Sequence, residues 1–213
     1  MATRPVFIAS DAKPYFKEIY VDFNWNKGLN IRQRQKNVVA IHDSFHQIYP
    51  EKRVLEISSK SLQPEGLPLS AFRLEKYVDS LSKRLPVELI YQGGKIFENG
   101  GPCLDLYDAV PIRAKKDERL HSLGHVTGFW YEGEKYPIEH YDAFYNWIYI
   151  QALIENPDLS KPLLDYDAFT DVAFCQNSGT SCQARSVAIF VSLYKNGKLD
   201  CISNYYEFVN TLY

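Results

Sequence analysis

Apolar residues recur along the chain with two periods, and the period separates predicted strands from predicted helices. Residues 19–23 alternate between apolar and polar side chains, which is typical of a half-buried strand, and residues 5–8 form a second short apolar run. Residues 31–48 instead place apolar side chains three and four positions apart, as in an amphipathic helix. Another short apolar run predicts a strand over residues 54–57.

The pattern after Pro86 predicts a helix with an apolar side and a polar side. Proline suits the first position of a helix, where its missing N–H group costs nothing. Glu88, Gln92 and Lys95 share one side, where an acid, an amide and an ammonium group suit a polar ligand. From spacing alone, an ordinary solvated stripe is the more common explanation. A buried stripe is predicted beside them, formed by Val87, Ile90, Tyr91 and Gly94.

The remaining pattern is mainly helical. Residues 63–68 contain two prolines and a glycine and are predicted to form a loop. We therefore interpret residues 1–65 as an N-terminal extension that packs onto a single domain of residues 66–213, with an α+β, predominantly helical fold. Helices are predicted over residues 112–122, from Pro137 to Asn156, over 182–195 and over 205–212, and a strand over 126–131.

Composition restricts the class of protein. A chain of 213 residues with 46% hydrophobic residues suits one domain with a sizeable core. Aromatic residues make up 15%, and such rings fill cores but also line pockets that stack bases. The formal net charge of −2 excludes a broadly basic protein that binds nucleic acid without specificity, although it permits a local basic pocket.

The protein is expected to be cytoplasmic. Its first ten residues lack the continuous apolar core of a signal peptide, and its longest apolar runs are too short to span a membrane. No two cysteines have the Cys-x-x-Cys spacing of zinc ribbons and thioredoxins, so reduced thiols are expected, with Cys182 as a buried small residue. The four cysteines are Cys103, Cys175, Cys182 and Cys201.

Metal and nucleotide sites have little support in the sequence. His42 and His46 lie four residues apart, a spacing that can bind zinc, but they lack the glutamate of the His-Glu-x-x-His signature. His121 and His125 share the spacing, and Gly124 is expected to end their helix. The paired glycines form neither a Gly-x-Gly-x-x-Gly pattern nor a P-loop. We therefore predict no metal and no cofactor.

Several motifs occur in a fixed order between residue 66 and the end of the chain. They are Leu69-Ser70-Ala71-Phe72; Glu88 with Tyr91, Gln92 and Lys95; and residues 95–101, 144–149 and 166–171 with 182–186. Through these motifs the chain resembles the NADAR (YbiA-like) family. Within that family it is most similar to the antitoxins encoded beside DarT-type DNA ADP-ribosyltransferase toxins.

The resemblance implies an enzyme that cleaves N-glycosidic bonds. Such a bond breaks through an oxocarbenium-like ribose, so a carboxylate is needed to stabilise positive charge or to activate water. Glu88 matches the motif glutamate and is the predicted catalytic carboxylate; a surface glutamate near the positive end of a helix is the alternative. Asp171 is the second predicted acid, and a loop or N-cap aspartate explains it about equally well. The family often has Trp-Gly near this aspartate, where this chain has residues 172–174 as Val-Ala-Phe.

The resemblance also suggests binding residues. Lys95 is expected to contact phosphate or ribose, with a salt bridge as the alternative, and Phe72 to stack near the ligand, with core packing as the alternative. The predicted ADP-ribose-binding residues are Ser70, Phe72, Tyr91, Gln92, Lys95 and Gln183. A weaker prediction is that a run of charged residues contacts the DNA backbone, although such a run is more often a solvated face. The run consists of Arg113, Lys115, Lys116 and Arg119.

The predicted function is removal of ADP-ribose from guanine bases of single-stranded DNA by a metal-independent N-glycosidase. The protein would then be the antitoxin of a DarT-type toxin or a related phage counter-defence protein. Its predicted partners are ADP-ribosylated single-stranded DNA, ADP-ribose as the product and the toxin itself, with no membrane. Two alternatives stay open: an N-glycosidase for a small riboside, such as a riboflavin-pathway intermediate, and a non-catalytic antitoxin that binds ADP-ribose.

Overall fold

The computed structural model describes residues 1–28, 30–174 and 181–213. Helices make up 44% and strands 21%, so the molecule is a mixed α/β domain, and a predominantly helical fold is not confirmed. The strands are β1 (Ala2–Ala9), β2 (Phe16–Phe23), β3 (Val54–Glu56), β4 (Glu75–Val78), β5 (Lys83–Pro86), β6 (Lys95–Phe97), β7 (Val126–Tyr131), β8 (Glu134–Tyr136) and β9 (Ala168–Thr170). The helices are α1 (Ile31–His46), α2 (Val87–Gly93), α3 (Pro111–Ala114), α4 (Arg119–Ser122), α5 (Ala143–Glu155), α6 (Pro157–Ser160), α7 (Gln183–Lys195) and α8 (Tyr205–Leu212).

A four-stranded sheet with the order β2-β1-β9-β3 joins the two ends of the chain. β9 lies antiparallel to β1, with Phe169 opposite Phe7, and parallel to β3, with Phe169 opposite Leu55. Residues from the first and last thirds of the sequence therefore share one sheet. This sheet does not confirm an N-terminal extension that only packs onto residues 66–213, and the domain boundary near residue 65 stays a prediction.

Helices cover both faces of this sheet. Because side chains alternate along a strand, β1 presents Val6 and Ile8 to one face and Phe7 to the other. Val6 and Ile8 belong to a buried cluster that includes Ile41 and Phe45 of α1. Phe7 belongs to the larger core, which contains the apolar residues of α2, α5 and α7. The end of β9 is therefore covered by α1 on one side and by the larger core on the other.

Aromatic rings hold α2 against β7 and α5. The rings of Phe129 and Phe144 stack with their centroids 4.4 Å apart, and the ring of Tyr91 stacks on Phe129 at 5.4 Å. Tyr145 meets Tyr91 edge-on at 5.0 Å. Pairs of this kind contribute about 0.5–1.5 kcal/mol each beyond the burial of their area. They fix the position of the helix that carries the predicted catalytic carboxylate.

The glycine pair at the end of α2 allows close packing. A Cβ atom on Gly93 would lie 2.6 Å from Cε1 of Tyr107, and a Cβ atom on Gly94 would lie 2.5 Å from the carbonyl oxygen of Trp130. Neither distance is compatible with a side chain. The two glycines therefore let neighbouring groups approach α2 closely.

The predicted helix over residues 112–122 is wrong in its length. It is divided into α3 and α4, with a turn between them. In this turn Oδ1 of Asp117 accepts a hydrogen bond from the Arg119 N–H at 3.0 Å. Such local side-chain bonds offer the backbone an alternative to a continuous helix.

Two other predicted helix ends differ from the structure. The aromatic helix α5 begins at Ala143 instead of near Pro137, because residues 134–136 form strand β8 and pair with β7. Helix α2 ends at Gly93, so Lys95 is the first residue of strand β6 and does not lie on the helix. Glu88 and Gln92 therefore lie on α2, whereas Lys95 lies on β6, beyond the turn that follows the helix.

Other predicted elements are confirmed. Strand β7 has the predicted bounds, and α1, α7 and α8 lie within two residues of theirs. Strands β1, β2 and β3 contain or overlap the predicted apolar runs. In the part of the chain that the structure describes, no helix is long and apolar enough to cross a membrane.

Candidate active site

All residues of α2 are buried, including its acid and its amide. Glu88 is 4% exposed and Gln92 is 6% exposed, so an ordinary solvated stripe is wrong for these two residues. Nζ of Lys95 donates a hydrogen bond to Oε1 of Gln92 at 2.7 Å, and Nε2 of Gln92 donates to Oε1 of Glu88 at 2.8 Å. We call these three side chains the polar row. Because the Gln92 amide bonds in both directions, its orientation is fixed.

Lys115 brings a second ammonium group to the polar row. It follows α3 directly, and its Nζ lies 3.7 Å from Oε1 of Glu88. The same Nζ lies 5.3 Å from the centre of the Phe72 ring. The Lys115 side chain is 53% exposed, whereas that of Glu88 is 5% exposed. Glu88 is therefore held by an amide on its buried side and by an ammonium group towards solvent.

The loop before β4 connects α2 with α7. The Glu88 N–H donates to the carbonyl oxygen of Ala71 at 2.9 Å, and the Ala71 N–H donates to Oε1 of Gln183 at 2.9 Å. Ser70 is 2% exposed. These bonds bring the predicted binding residues Ser70, Phe72 and Gln183 next to Glu88 at the start of α2.

Asp171 follows β9 directly and provides the second carboxylate. Its Oδ1 accepts a hydrogen bond from the Ala173 N–H at 3.0 Å, which is the turn contact expected of a loop aspartate. Burial raises the pKa of Asp171 to about 6, against the lowering effects of this bond and of the ammonium groups of Lys115 and Lys60. The carboxyl group therefore changes charge near neutral pH, in the range where catalytic proton acceptors and donors work.

A cavity of about 490 Å³ lies beside the polar row and reaches Asp171. Its volume is that of a small-molecule pocket, for which roughly 300–1,000 Å³ is usual. Five predicted site residues line it: Tyr91, Gln92, Lys95, Lys115 and Asp171. The other lining residues are Leu120, His121, Val126, Phe129, Tyr141, Ala173, Phe174 and Ser181.

Glu88 does not line the cavity itself, but it contacts two residues that do, Gln92 and Lys115. Its Oε1 is bonded to Gln92 and lies 3.7 Å from Lys115. Ser70, Phe72 and Gln183 do not line the cavity and lie in the layer around Glu88. The structure thus brings the sequence-predicted residues together in two layers, and their roles stay predictions.

Lys95 combines burial with two charged neighbours. Burial lowers the pKa of its ammonium group to about 8, while Glu88 acts in the opposite direction and Lys115 in the same direction. Its Nζ lies 4.5 Å from the centre of the Tyr91 ring. At neutral pH the group carries its charge, so the cavity wall presents a cation of the kind that binds phosphate.

The charged run predicted to contact DNA does not form one continuous free surface. Arg119 pairs with acidic neighbours, and its Nη2 lies 2.7 Å from Oδ2 of Asp105. Lys115 belongs to the cavity. Arg113 and Lys116 are exposed, and within the described ranges no carboxylate oxygen lies within 4.0 Å of either. The role of this run in DNA binding stays a prediction.

Sequence reasoning missed a third acid, which lies next to Asp171. Glu56 in β3 is fully buried, and its carboxyl group contacts the residues on both sides of Asp171. Its Oε2 lies 2.6 Å from the Thr170 hydroxyl, and its Oε1 accepts a hydrogen bond from the Val172 N–H at 2.9 Å. Burial, and then the charge of Asp171, raise the pKa of Glu56 to about 8. Its only signal in the sequence was one glutamate inside a short apolar run.

The histidines of the first predicted pair have separate partners. Nε2 of His42 lies 2.9 Å from the Thr170 hydroxyl, and burial lowers the pKa of His42 to about 4. Nε2 of His46 lies 3.0 Å from the carbonyl oxygen of Lys52. Among the residues that the structure describes, no group of three or more His, Cys, Asp or Glu side chains is arranged to hold a metal ion.

The described cysteines are free thiols. Cys103 and Cys182 are buried, and Cys201 is partly buried. Burial raises the pKa of the Cys182 thiol, which agrees with a small packed residue rather than a nucleophile. Cys175 lies outside the described residues.

Comparison with known proteins identifies one family. A family model described as "DarT1-associated NADAR antitoxin" matches residues 2–213, which include every residue of the cavity and of the polar row. A search of curated proteins finds no match to the sequence.

Proposed function

Because this chain belongs to the DarT1-associated NADAR antitoxin family, we propose that it hydrolyses the N-glycosidic bond between ADP-ribose and guanine in DNA. By this reaction it reverses the modification made by a DarT-type toxin and acts as the antitoxin, and a phage could use the same activity as counter-defence. One observation supports the proposal most. The buried polar row borders a cavity of about 490 Å³ that a second carboxylate, Asp171, also lines.

We assign to Glu88 the stabilisation of the developing positive charge. The Glu88 carboxylate is 4% exposed and held by Gln92, so it is surrounded by protein rather than by water. In such surroundings a fixed charge acts more strongly on an oxocarbenium-like ribose than it does in water. The ribose would lie at the wall between Gln92 and Lys115, the two lining residues that contact Glu88.

We assign to Asp171 the activation of water. The C1′–N bond breaks with its electron pair moving to guanine, and the water oxygen bonds to C1′. One proton of this water passes to Asp171, and guanine takes up a proton from solvent. The products are ADP-ribose and unmodified guanine.

We assign the pyrophosphate and the aromatic contacts to the remaining lining residues. Lys95 and Lys115 present two ammonium groups to the cavity, and compact cations of this kind bind phosphate oxygens. Tyr91 lines the same cavity, but its ring is stacked on Phe129 and contacted by Lys95. Tyr141 also lines the cavity and is 52% exposed, so its ring can stack on an adenine or guanine base.

The proposal is tested with an oligonucleotide that carries ADP-ribose on one guanine. We expect the purified protein to release ADP-ribose, measured by liquid chromatography, and to restore the unmodified oligonucleotide. Binding of ADP-ribose without release would point to a non-catalytic antitoxin instead. Release from a small riboside but not from the oligonucleotide would point to an enzyme of small-molecule metabolism.

The kcat for release of ADP-ribose is expected to depend on pH and to reach half of its maximum near pH 6. Asp171 must be ionised to accept a proton, and its pKa is raised to about 6, so kcat should rise between pH 5 and 7. Asp171→Asn should lower kcat about 100-fold and remove this rise. An Asp171→Asn profile with the wild-type midpoint would contradict the assignment of water activation to Asp171.

A further inference from the structure

A second cationic region lies on the N-terminal part of the molecule. Cζ of Arg4 lies 5.2 Å from the centre of the Trp25 ring, and Cζ of Arg34 lies 5.4 Å from it. Both distances are those of cation–π contacts. The Trp25 ring itself packs on buried Phe23, with the centroids 6.0 Å apart. The ring therefore holds two guanidinium groups in fixed positions at the surface.

The charged residues of this region are all positive. Residues 23–42 contain no aspartate or glutamate but four cations, and Arg4 brings the number to five. Since the whole chain has a net charge of −2, the remaining residues carry −7 (−2 minus 5). We call the five cations and Trp25 the basic surface: Arg4, Trp25, Lys27, Arg32, Arg34 and Lys36.

The cations of the basic surface lack acidic partners. Within residues 1–28, 30–174 and 181–213, no carboxylate oxygen lies within 4.0 Å of any of the five. The hydrogen bonds of the Arg4 guanidinium go to the carbonyl oxygens of Thr3 and Val172. A region with five cations and no ion pair complements a polyanion.

The basic surface begins at the end of the sheet that carries Asp171. In the register of β1 and β9, Phe7 lies opposite Phe169, which places Arg4 level with Val172. Nε of Arg4 donates a hydrogen bond to the carbonyl oxygen of Val172 at 3.4 Å. Val172 follows Asp171, and the next two residues line the cavity. Arg4 of the basic surface is thus bonded to the backbone of Val172, which is buried and lies in the chain between the cavity-lining residues Asp171 and Ala173.

We propose that the basic surface binds the phosphate backbone of single-stranded DNA while one modified base occupies the cavity. The proposal rests on the proposed function for its choice of DNA. Guanidinium groups bind phosphates through two parallel hydrogen bonds and also stack on unpaired bases. A single strand fits because a base must leave the stacked duplex to enter a pocket. Trp25 acts by positioning Arg4 and Arg34.

Binding of unmodified DNA tests the surface without catalysis. The fluorescence anisotropy of a labelled 15-nucleotide thymidine strand is followed with the wild type and with Arg32→Gln/Arg34→Gln. The control is Lys161→Gln/Lys195→Gln, which removes the same charge from two other exposed positions, one of them at the far end of α7. Thermal melting checks that all variants are folded.

The double arginine variant should bind at least about tenfold more weakly, whereas the control should change less than about twofold. The slope of log K against log salt should fall by about 1.4 in magnitude, since each phosphate contact on a single strand contributes about 0.7. Equal losses in both variants, or none, would overturn the proposal. Equally tight binding of a duplex of the same length would overturn the choice of single-stranded DNA.

A rival variant and a short substrate complete the test. Arg113→Gln/Lys116→Gln removes the two exposed cations of the charged run that do not line the cavity. If this variant loses affinity and the arginine variant does not, the DNA lies on the charged run and the proposal fails.

The KM of the arginine variant for two substrates provides a kinetic test. Its KM for an ADP-ribosylated oligonucleotide should be higher than that of the wild type, whereas its KM for ADP-ribosylated guanosine should be unchanged. If the wild type hydrolyses neither substrate, the proposed function fails, while the binding measurement still decides on the basic surface.

Discussion

Glu88→Gln is expected to lower kcat for release of ADP-ribose about 1,000-fold while leaving the protein folded. Glutamine has the shape of glutamate, and its Oε1 can still accept the hydrogen bond from Nε2 of Gln92, which is 2.8 Å in the wild type. What is lost is the negative charge that stabilises the ribose cation, and such a fixed electrostatic group is worth about 10²–10³ in rate. The decrease should appear in kcat, because the charge acts mainly in the transition state.

Glu118→Gln is the matched control for this variant. Glu118 is exposed and lies just before α4, so the same substitution there should leave kcat within about twofold. Binding of ADP-ribose, measured by calorimetry, should persist in Glu88→Gln. Because Glu88 raises the pKa of Lys95, that pKa should also fall below about 8 in the variant. A Glu88→Gln protein with wild-type kcat would remove Glu88 from the mechanism.

The sequence predicted long, strongly periodic elements better than short ones. Helices α1 and α7 carry continuous apolar stripes, so their spacing alone determined them. Strand β4 has no such stripe, and its buried Lys76 is stabilised by Glu155, with Nζ and Oε1 2.7 Å apart. The two residues are 79 positions apart in sequence, and no local pattern indicates their contact. Short strands of this kind depend on tertiary partners that periodicity does not report.

The candidate site was predictable only in part, for the same reason. The motif located Glu88, Gln92 and Lys95, but spacing favoured a solvated stripe on one helix. Their burial follows from aromatic packing around α2, and Lys95 reaches Gln92 from strand β6 after the turn. Glu56 has no motif, and its importance follows from the pairing of β3 with β9, which places it beside Asp171. Pairing between segments more than 100 residues apart is a property of the fold.

Glu56→Ala is expected to lower the free energy of unfolding by about 3–5 kcal/mol. The substitution leaves the Val172 N–H and the Ser58 hydroxyl without their buried partner, and it opens a cavity in the core. The Thr170 hydroxyl loses one of its two partners and keeps His42. An unsatisfied buried donor costs about 1–3 kcal/mol, and a cavity adds to that cost. The melting temperature should fall by roughly 10 °C, since about 1 kcal/mol corresponds to 2–4 °C at this size. Circular dichroism melts of the variant and of the wild type provide the measurement.

Glu56→Gln is expected to be as stable as the wild type near pH 4.5 and to be increasingly more stable than the wild type as the pH rises to 8. Folding raises the pKa of Glu56 from 4.5 to about 8, so the folded state favours the neutral form. Its contribution to stability is complete below pH 4.5 and is lost as the pH rises through about 8. Glutamine imitates the neutral form, because its amide can donate to the Thr170 hydroxyl and its carbonyl oxygen can accept from Val172.

The difference between Glu56→Gln and wild type should therefore grow with pH. His42, whose pKa is lowered to about 4, changes stability in the opposite direction below pH 6.5, and it does so in both proteins. Between pH 6 and 8 the variant should gain about 2 kcal/mol relative to the wild type, because one pKa unit corresponds to about 1.4 kcal/mol. Urea unfolding at several pH values measures this gain. A difference in stability that stays constant from pH 6 to 9 would mean that Glu56 is ionised at every pH in this range. Glu56 and Asp171 would then both carry a negative charge at neutral pH, although they are adjacent.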